Sequence, residues 1–251
     1  MSQPSPSPVA PSTPPSPTVD EGTKRGTVTT HEPSRTQTGI ARRMAEVRAT
    51  VPQWTASVEV DVEVLVTALG SDDDAPRPID AIARAVGIGL VEHPRVNGAW
   101  RDGRLESWSR ATIALAVDPD GQAIALPTLP DVDRTSLADI AARRRHVTEL
   151  VEAGSLRAPD SAGPTFALID GGADGPDRFD AITPPGLGAS LAVGRIARRP
   201  RVVGDAIVPR HTVTLTLTAD HRAIYPSHAA AFLRRVEELL SAAGPELLGN
   251  A

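Results

Sequence analysis

The stretch HTVTLTLTAD, His211–Asp220, places the strictest condition on the fold. Threonine alternates strictly with valine and leucine, a period of two that makes a β-strand with one apolar side and requires a sheet around it. The run ends in Asp220 and His221. A histidine there stands where a strand stops and the backbone turns, a place where a neutral imidazole can meet a substrate and accept a proton near pH 7.

The segments before and after this strand supply the rest of a layered domain. TGIARRMAEVRAT spaces Ile40, Met44 and Val47 as an amphipathic helix that Pro52 ends. TASVEVDVEVLV, Thr55–Val66, alternates like a half-buried strand, and Ile79–His93 reads as a helix stopped by Pro94. Two apolar runs in Ala111–Leu129 flank Asp-Pro-Asp-Gly, which is hairpin chemistry. Ser136–Gly154 is a long helix with Ser136 and Asp139 as its N-terminal capping pair and Gly154 as its stop. TFALID and GASLAVGRIA are strands, and Ser227–Gly244 closes the chain as a helix with Ala231, Leu233, Val236 and Leu240 facing inward. The fold class expected is α+β, a mixed sheet flanked by helices.

Residues 1–35 are dominated by Pro, Ser and Thr and hold almost no large apolar side chains, so they are expected to form a disordered arm ahead of a domain spanning 36–251. No stretch is apolar and long enough for a signal peptide or a bilayer span, which points to the cytoplasm and away from membranes. Absence of Cys excludes disulfides and a thiol nucleophile. The arginines fall in short clusters such as Ala142–His146, and aromatic residues are 3% of the chain, too few to stack bases. Nucleic acid is therefore not an expected partner.

Six blocks in order carry a resemblance: GIARRMAEVRATVPQWTASVEVDVEVL, HPRVNGAW, IALAVDPDGQAIALPTLPDVDRTSLADIA, FALIDGG, PPGLGASLAVGRI and LTLTADHRAIYPSHAAAFLRRVEELL. Together they resemble the catalytic domain of the dihydrolipoyl acyltransferases of 2-oxo acid dehydrogenase complexes, which shares its fold with chloramphenicol acetyltransferase. The resemblance implies a homotrimer, in some members a larger cage, with active sites in channels between subunits. It implies acetyl-CoA or another acyl-CoA as co-substrate, no bound cofactor or metal, and His221 as general base, a role typically worth about 10²–10⁴-fold.

Three departures shape the expected function. Tyr225 and Pro226 stand where the family has Asp-Gly, and Gln37 stands where it has the arginine that pairs with that aspartate. Losing both partners avoids a stranded buried charge. Ile169 replaces the hydroxyl near the oxyanion, a loss that typically costs about 10²–10³ in turnover. Thr165 or the amides of Gly171 and Gly172 are the candidate substitutes, and Tyr225 a candidate support for the loop. Finally, a linker-like arm stands in place of lipoyl and subunit-binding domains. The expectation is a stand-alone acyl-CoA-dependent O-acetyltransferase acting on a small-molecule or carrier-bound hydroxyl, with tetronate acetylation as the analogy. The alternative is a catalytically degenerate scaffold or assembly subunit of a 2-oxo acid dehydrogenase complex. Among the remaining residues, Asp220 is expected to cap the turn, His93 to pack at a helix end, and Trp54, Trp100 and Trp108 to line the core or a channel. His146, His211 and His228 lack acid partners at metal-ligand spacing.

Overall fold

A computed structural model describes residues 18–23, 26–70, 75–119 and 124–249. The chain divides into two compact units, residues 1–43 and 44–251. In the first, strands β1 (Thr18–Thr23) and β2 (Gly26–Thr30) pair as an antiparallel hairpin. The disordered arm expected up to residue 35 therefore gives way to paired strands over these residues, while residues 1–17 lie outside those described. Helix α1 (Arg35–Thr50) follows. Its start is a reciprocal cap: the Gln37 N–H donates to Ser34 Oγ at 3.2 Å, and the Ser34 N–H donates to Gln37 Oε1 at 2.8 Å.

The second unit confirms the α+β plan. Its strands are β3 (Gln53–Asp61), β4 (Gly98–Arg101), β5 (Arg104–Ser107), β6 (Ile113–Ala116), β7 (Thr128–Leu129), β8 (Phe166–Asp170), β9 (Ala189–Val193), β10 (Ala197–Val203) and β11 (Ala206–Asp220). Its helices are α2 (Glu63–Leu69), α3 (Pro78–Glu92), α4 (Leu137–Glu152), α5 (Pro226–Ala242) and α6 (Pro245–Leu248). One mixed seven-stranded sheet runs β10-β11-β9-β8-β6-β7, with β3 also paired to β11. The steps β6–β8 and β8–β9 are parallel and the others antiparallel.

The strand expected at His211 begins five residues earlier, at Ala206, and its first half pairs with a strand the sequence did not announce. Strand β10 is ARRPRVV, rich in arginine and carrying Pro200, a composition suited to a sheet edge. Pro200 lies opposite Pro209, and at the tip Val202 and Ile207 face each other at 73% and 75% exposure. The alternation of Thr55–Val66 also ends sooner than expected, because the Asp61 carboxylate accepts the Glu63 N–H at 3.0 Å and opens α2. Asp102 and Gly103, both at positive φ, turn β4 into β5.

Val213, Leu215, Leu217 and Ala219 of β11 point into the main core with Leu191 of β9, Phe166 of β8 and Val60 of β3. Helices α3 and α5 supply Ile82, Val86, Leu90, Phe232, Val236 and Leu240 to the same core. Each such leucine stabilises the fold by about 1.5–3 kcal/mol. Ser136 caps α4 as expected, its hydroxyl accepting the Asp139 N–H at 3.1 Å, and Gly154 stops it at φ 62°. Facing inward on α5 are Ala229 and Phe232 beside the expected Leu233, Val236 and Leu240, with Ala231 off the buried stripe.

A buried ion pair joins α3 to α4. Arg144 Nε and Nη2 donate to the Asp80 carboxylate at 2.6 and 3.1 Å, with Asp80 wholly buried, and the carboxylate also accepts the Arg77 N–H at 2.8 Å. Arg144→Met strands that carboxylate and should lower unfolding free energy by about 3–5 kcal/mol. Adding Asp80→Asn should recover part of the loss, as read by urea denaturation of both variants.

Candidate active site

The end of β11 is built around Asp220, which is 3% exposed. Its N–H donates to the Gly188 carbonyl at 2.9 Å, and its own carbonyl accepts from Ala223 at 3.0 Å and Ile224 at 2.9 Å. The side chain accepts the Arg222 N–H at 2.9 Å and binds the Arg222 guanidinium from two nitrogens at 2.7 to 3.1 Å. Those hydrogen bonds hold Arg222 protonated more firmly than an ordinary arginine, against a smaller penalty from burial. Asp220 thus caps the turn, as its place in the sequence implied. Gly188 must be glycine, since a Cβ there would strike the carbonyl of Gly98.

His221 sits on this tight turn with its N–H donating to the Pro52 carbonyl at 3.0 Å and its side chain exposed. Its imidazole has two aromatic neighbours. The Trp54 ring of β3 is 5.6 Å away and the Tyr225 ring 5.7 Å away, both tilted. Trp54 is itself fixed by an Nε1–H bond to the Ile224 carbonyl at 3.0 Å. Tyr225 stacks in turn on His228 at 5.6 Å. His228 reaches back from the first turn of α5 and its Nδ1 accepts the Tyr225 N–H at 3.2 Å. In place of Asp-Gly, Tyr225 thus sets a ring beside His221, and Pro226 opens the helix behind it.

The expected oxyanion donors are otherwise engaged. Thr165 Oγ1 accepts the Thr112 N–H at 3.2 Å and donates to the Thr112 carbonyl at 3.3 Å, tying β8 to the segment before β6. The Gly171 N–H donates to Val193 at 2.9 Å as part of the sheet, and the Gly172 N–H to Asp170 Oδ1 at 2.9 Å. None of the three is free to serve an oxyanion in this protomer. Ile169 is not beside His221 either. It lies level with Ala192 of β9 and Thr216 of β11, five residues short of His221. Standard strand spacings make that roughly 16 Å along the sheet and about 10 Å across it. Gln37, expected at the position of the lost arginine, is used by the α1 cap.

Among the other histidines, His93 ends α3 edge-on to Phe232 at 6.4 Å, and His211 Nδ1 lies 2.8 Å from Glu63 Oε2. The His211 backbone N–H, more than its ring, holds the Glu63 carboxyl below its usual range. Trp108 stacks under Arg101 at 5.6 Å, and Trp100 packs against the core. No group of three or more metal-ligating side chains is found among the described residues. Nor is any helix among them long and apolar enough to cross a membrane. Two polar residues near His221 carried no signal in the sequence: Gln53, opposite Asp220 on β3, and Thr218. A threonine in an alternating strand is indistinguishable from its neighbours until their partners are known.

Comparison with known proteins places this geometry. Residues 25–248 match the family described as 2-oxoacid dehydrogenases acyltransferase (catalytic domain). The dihydrolipoyllysine-residue acetyltransferase component 4 of the chloroplastic pyruvate dehydrogenase complex of Arabidopsis thaliana is 36% identical over 63% of this chain and 33% of its own length. The corresponding component from Acholeplasma laidlawii is 31% identical over 90% of this chain and 43% of its own. The chain thus spans a third to a half of the curated relatives it matches. Dihydrolipoamide acetyltransferase of Azotobacter vinelandii superposes with a TM-score of 0.83 at 25% identity, covering 90% of this chain and 96% of that one. The cubic core of a pyruvate dehydrogenase multienzyme complex gives 0.82 at the same identity and coverage. A chloramphenicol acetyltransferase gives 0.50 at 14%, covering 79% and 94%, a likeness of fold alone. In the Azotobacter enzyme a serine, a histidine and an asparagine were investigated for their part in the mechanism. Their spacings, laid on this chain from His221, lead back to Ile169 and forward to Tyr225. On sequence and fold together, this chain belongs to the 2-oxoacid dehydrogenase acyltransferase family, of which it carries the catalytic domain.

Proposed function

We propose that this catalytic domain transfers an acyl group between coenzyme A and a dihydrolipoyl thiol, with His221 as general base, as a subunit of an oligomeric core. The observation that carries the reading is the exposed His221 imidazole, on a turn capped by Asp220 and beside the rings of Trp54 and Tyr225. The named relatives are dihydrolipoyl acyltransferase components, which supports a thiol acceptor and a core role over the small-molecule hydroxyl that the sequence suggested.

In the step itself, the imidazole removes the proton of the acceptor thiol as its sulfur attacks the thioester carbonyl. The new C–S bond forms, the tetrahedral oxyanion collapses, and the old C–S bond breaks. The departing thiolate takes the proton back from the imidazolium. Tyr225 and Trp54 act as positioning residues, limiting the ring to orientations that face the acceptor. Since Ile169 lies far from His221 within one protomer, a site drawing on both positions is completed by a second copy of the chain. The trimer and cage expected from the sequence fit that requirement.

Purified protein given acetyl-CoA and dihydrolipoamide should release CoA. His221→Ala should cut that rate by about 10²–10⁴-fold, while unfolding free energy stays within about 0.5 kcal/mol because the side chain is exposed. Asp220→Ala should by contrast cost about 2 kcal/mol by releasing Arg222 and the turn. Ile169→Ser, restoring a hydroxyl, should raise turnover about tenfold or more. A second reading, assembly without turnover, is favoured by Ile169 and Tyr225 themselves. It is established instead if light scattering finds the oligomer intact and neither wild type nor Ile169→Ser releases CoA.

A further inference from the structure

Two hydroxyls on the polar face of β11 are paired, and a fully buried one is not. Thr212 Oγ1 accepts from Arg199 at 2.8 Å, and Thr216 Oγ1 shares a hydrogen bond with Ser57 Oγ at 3.1 Å. Thr218 is 2% exposed, its carbonyl accepts from the Thr183 hydroxyl at 3.2 Å, and its own Oγ1 has no partner. One other buried atom beside it is in the same state: Gln53 Oε1, whose Nε2 is committed to the Thr183 carbonyl at 3.4 Å. Both residues line one open cleft of about 430 Å³. Its walls include Trp54 and Ile182, and the exposed side chains of Arg48 and Asp180 complete it.

Buried polar atoms without partners are uncommon in native proteins, and two on residues lining one cleft call for a partner there. Gln53 Oε1 only accepts, while the Thr218 hydroxyl can donate. Arg48 and Asp180 bring opposite charges, so the cleft selects neither an anion nor a cation. A neutral group presenting an N–H and a C=O together meets both atoms, and that group is a carboxamide. The place is also specific. Gln53 is paired with Asp220, the residue before His221, and Trp54, its neighbour on β3, has its ring 5.6 Å from the His221 imidazole.

We infer that this cleft is a carboxamide subsite, in which Gln53 Oε1 accepts the N–H and Thr218 Oγ1 donates to the C=O of an amide in the substrate's arm, holding the adjoining thiol toward His221. The inference rests on the acyl-transfer reading for the identity of the reacting group, but the subsite is testable by binding alone.

The probes are N-acetylcysteamine, a short thiol with a secondary amide, and 2-mercaptoethyl acetate, its ester isostere without the N–H. Affinities read by NMR chemical-shift titration should favour the amide by about tenfold in the wild type, the weight of one net hydrogen bond. Gln53→Leu should erase that preference. Thr218→Val should weaken both ligands about tenfold and raise the melting temperature, because it removes a buried hydroxyl with no partner. His221→Ala should keep the full preference. Equal binding of amide and ester, a preference that survives Gln53→Leu, or a Thr218→Val protein that melts lower overturns the subsite, the last because the hydroxyl is then structural. Failure of CoA release with the amide preference intact overturns the acyl-transfer reading and leaves the subsite standing.

Discussion

Strand β11 is the member on which the rest of the molecule hangs. Hydrogen-bonded to β3 along one edge and to β10 and then β9 along the other, it links the outer hairpin, the first strand of this unit and the parallel half of the sheet. Its register is fixed by chemistry on both faces. A slip of one residue would turn Val213, Leu215 and Leu217 out of the core and drive threonines in. The same register delivers Asp220 to Gly188 and sets His221 on its turn. Positioning the histidine is thus a consequence of core packing, and the loop beyond it adds only the fine orientation.

That orientation is reached by a route different from a buried ion pair. A chain of ring contacts, Trp54, His221, Tyr225 and His228, occupies the turn, tilted except for the stacked last pair, with rings 5.6 to 5.7 Å apart. Gln37, in the position read as a lost ionic partner, completes a helix cap instead. Ring packing restricts tilt without burying charge, so it avoids the desolvation cost of an ionic support.

Much of this was legible in the residues. The long helices followed from apolar spacing and caps, as with Ser136 and Gly154, because those signals are local and survive any tertiary context. The turn at Asp220 and the exposure of His221 followed from the way an alternating strand ends. What stayed hidden depended on partners far along the chain. Strand β10 reads as polar and proline-broken because it is an edge, and α2 was masked by an alternation that only the Asp61 cap interrupts. Thr165, Gly171 and Gly172 were plausible donors until their bonds to Thr112, Val193 and Asp170 were known. Gln53 and Thr218 stand out only because their neighbours are satisfied and they are not.

The β10–β11 tip has a bearing on how the protomer behaves in solution. Val202 and Ile207 give it an adhesive surface, while Pro200 and Pro209 withhold backbone donors on both strands and Arg198, Arg199 and Arg201 crowd β10 with charge. Such an edge resists open-ended strand addition, the route to fibrils. Contact made through it is confined to side chains, so its reach is finite: a surface of matching shape can close over the tip, and stacking without limit is denied.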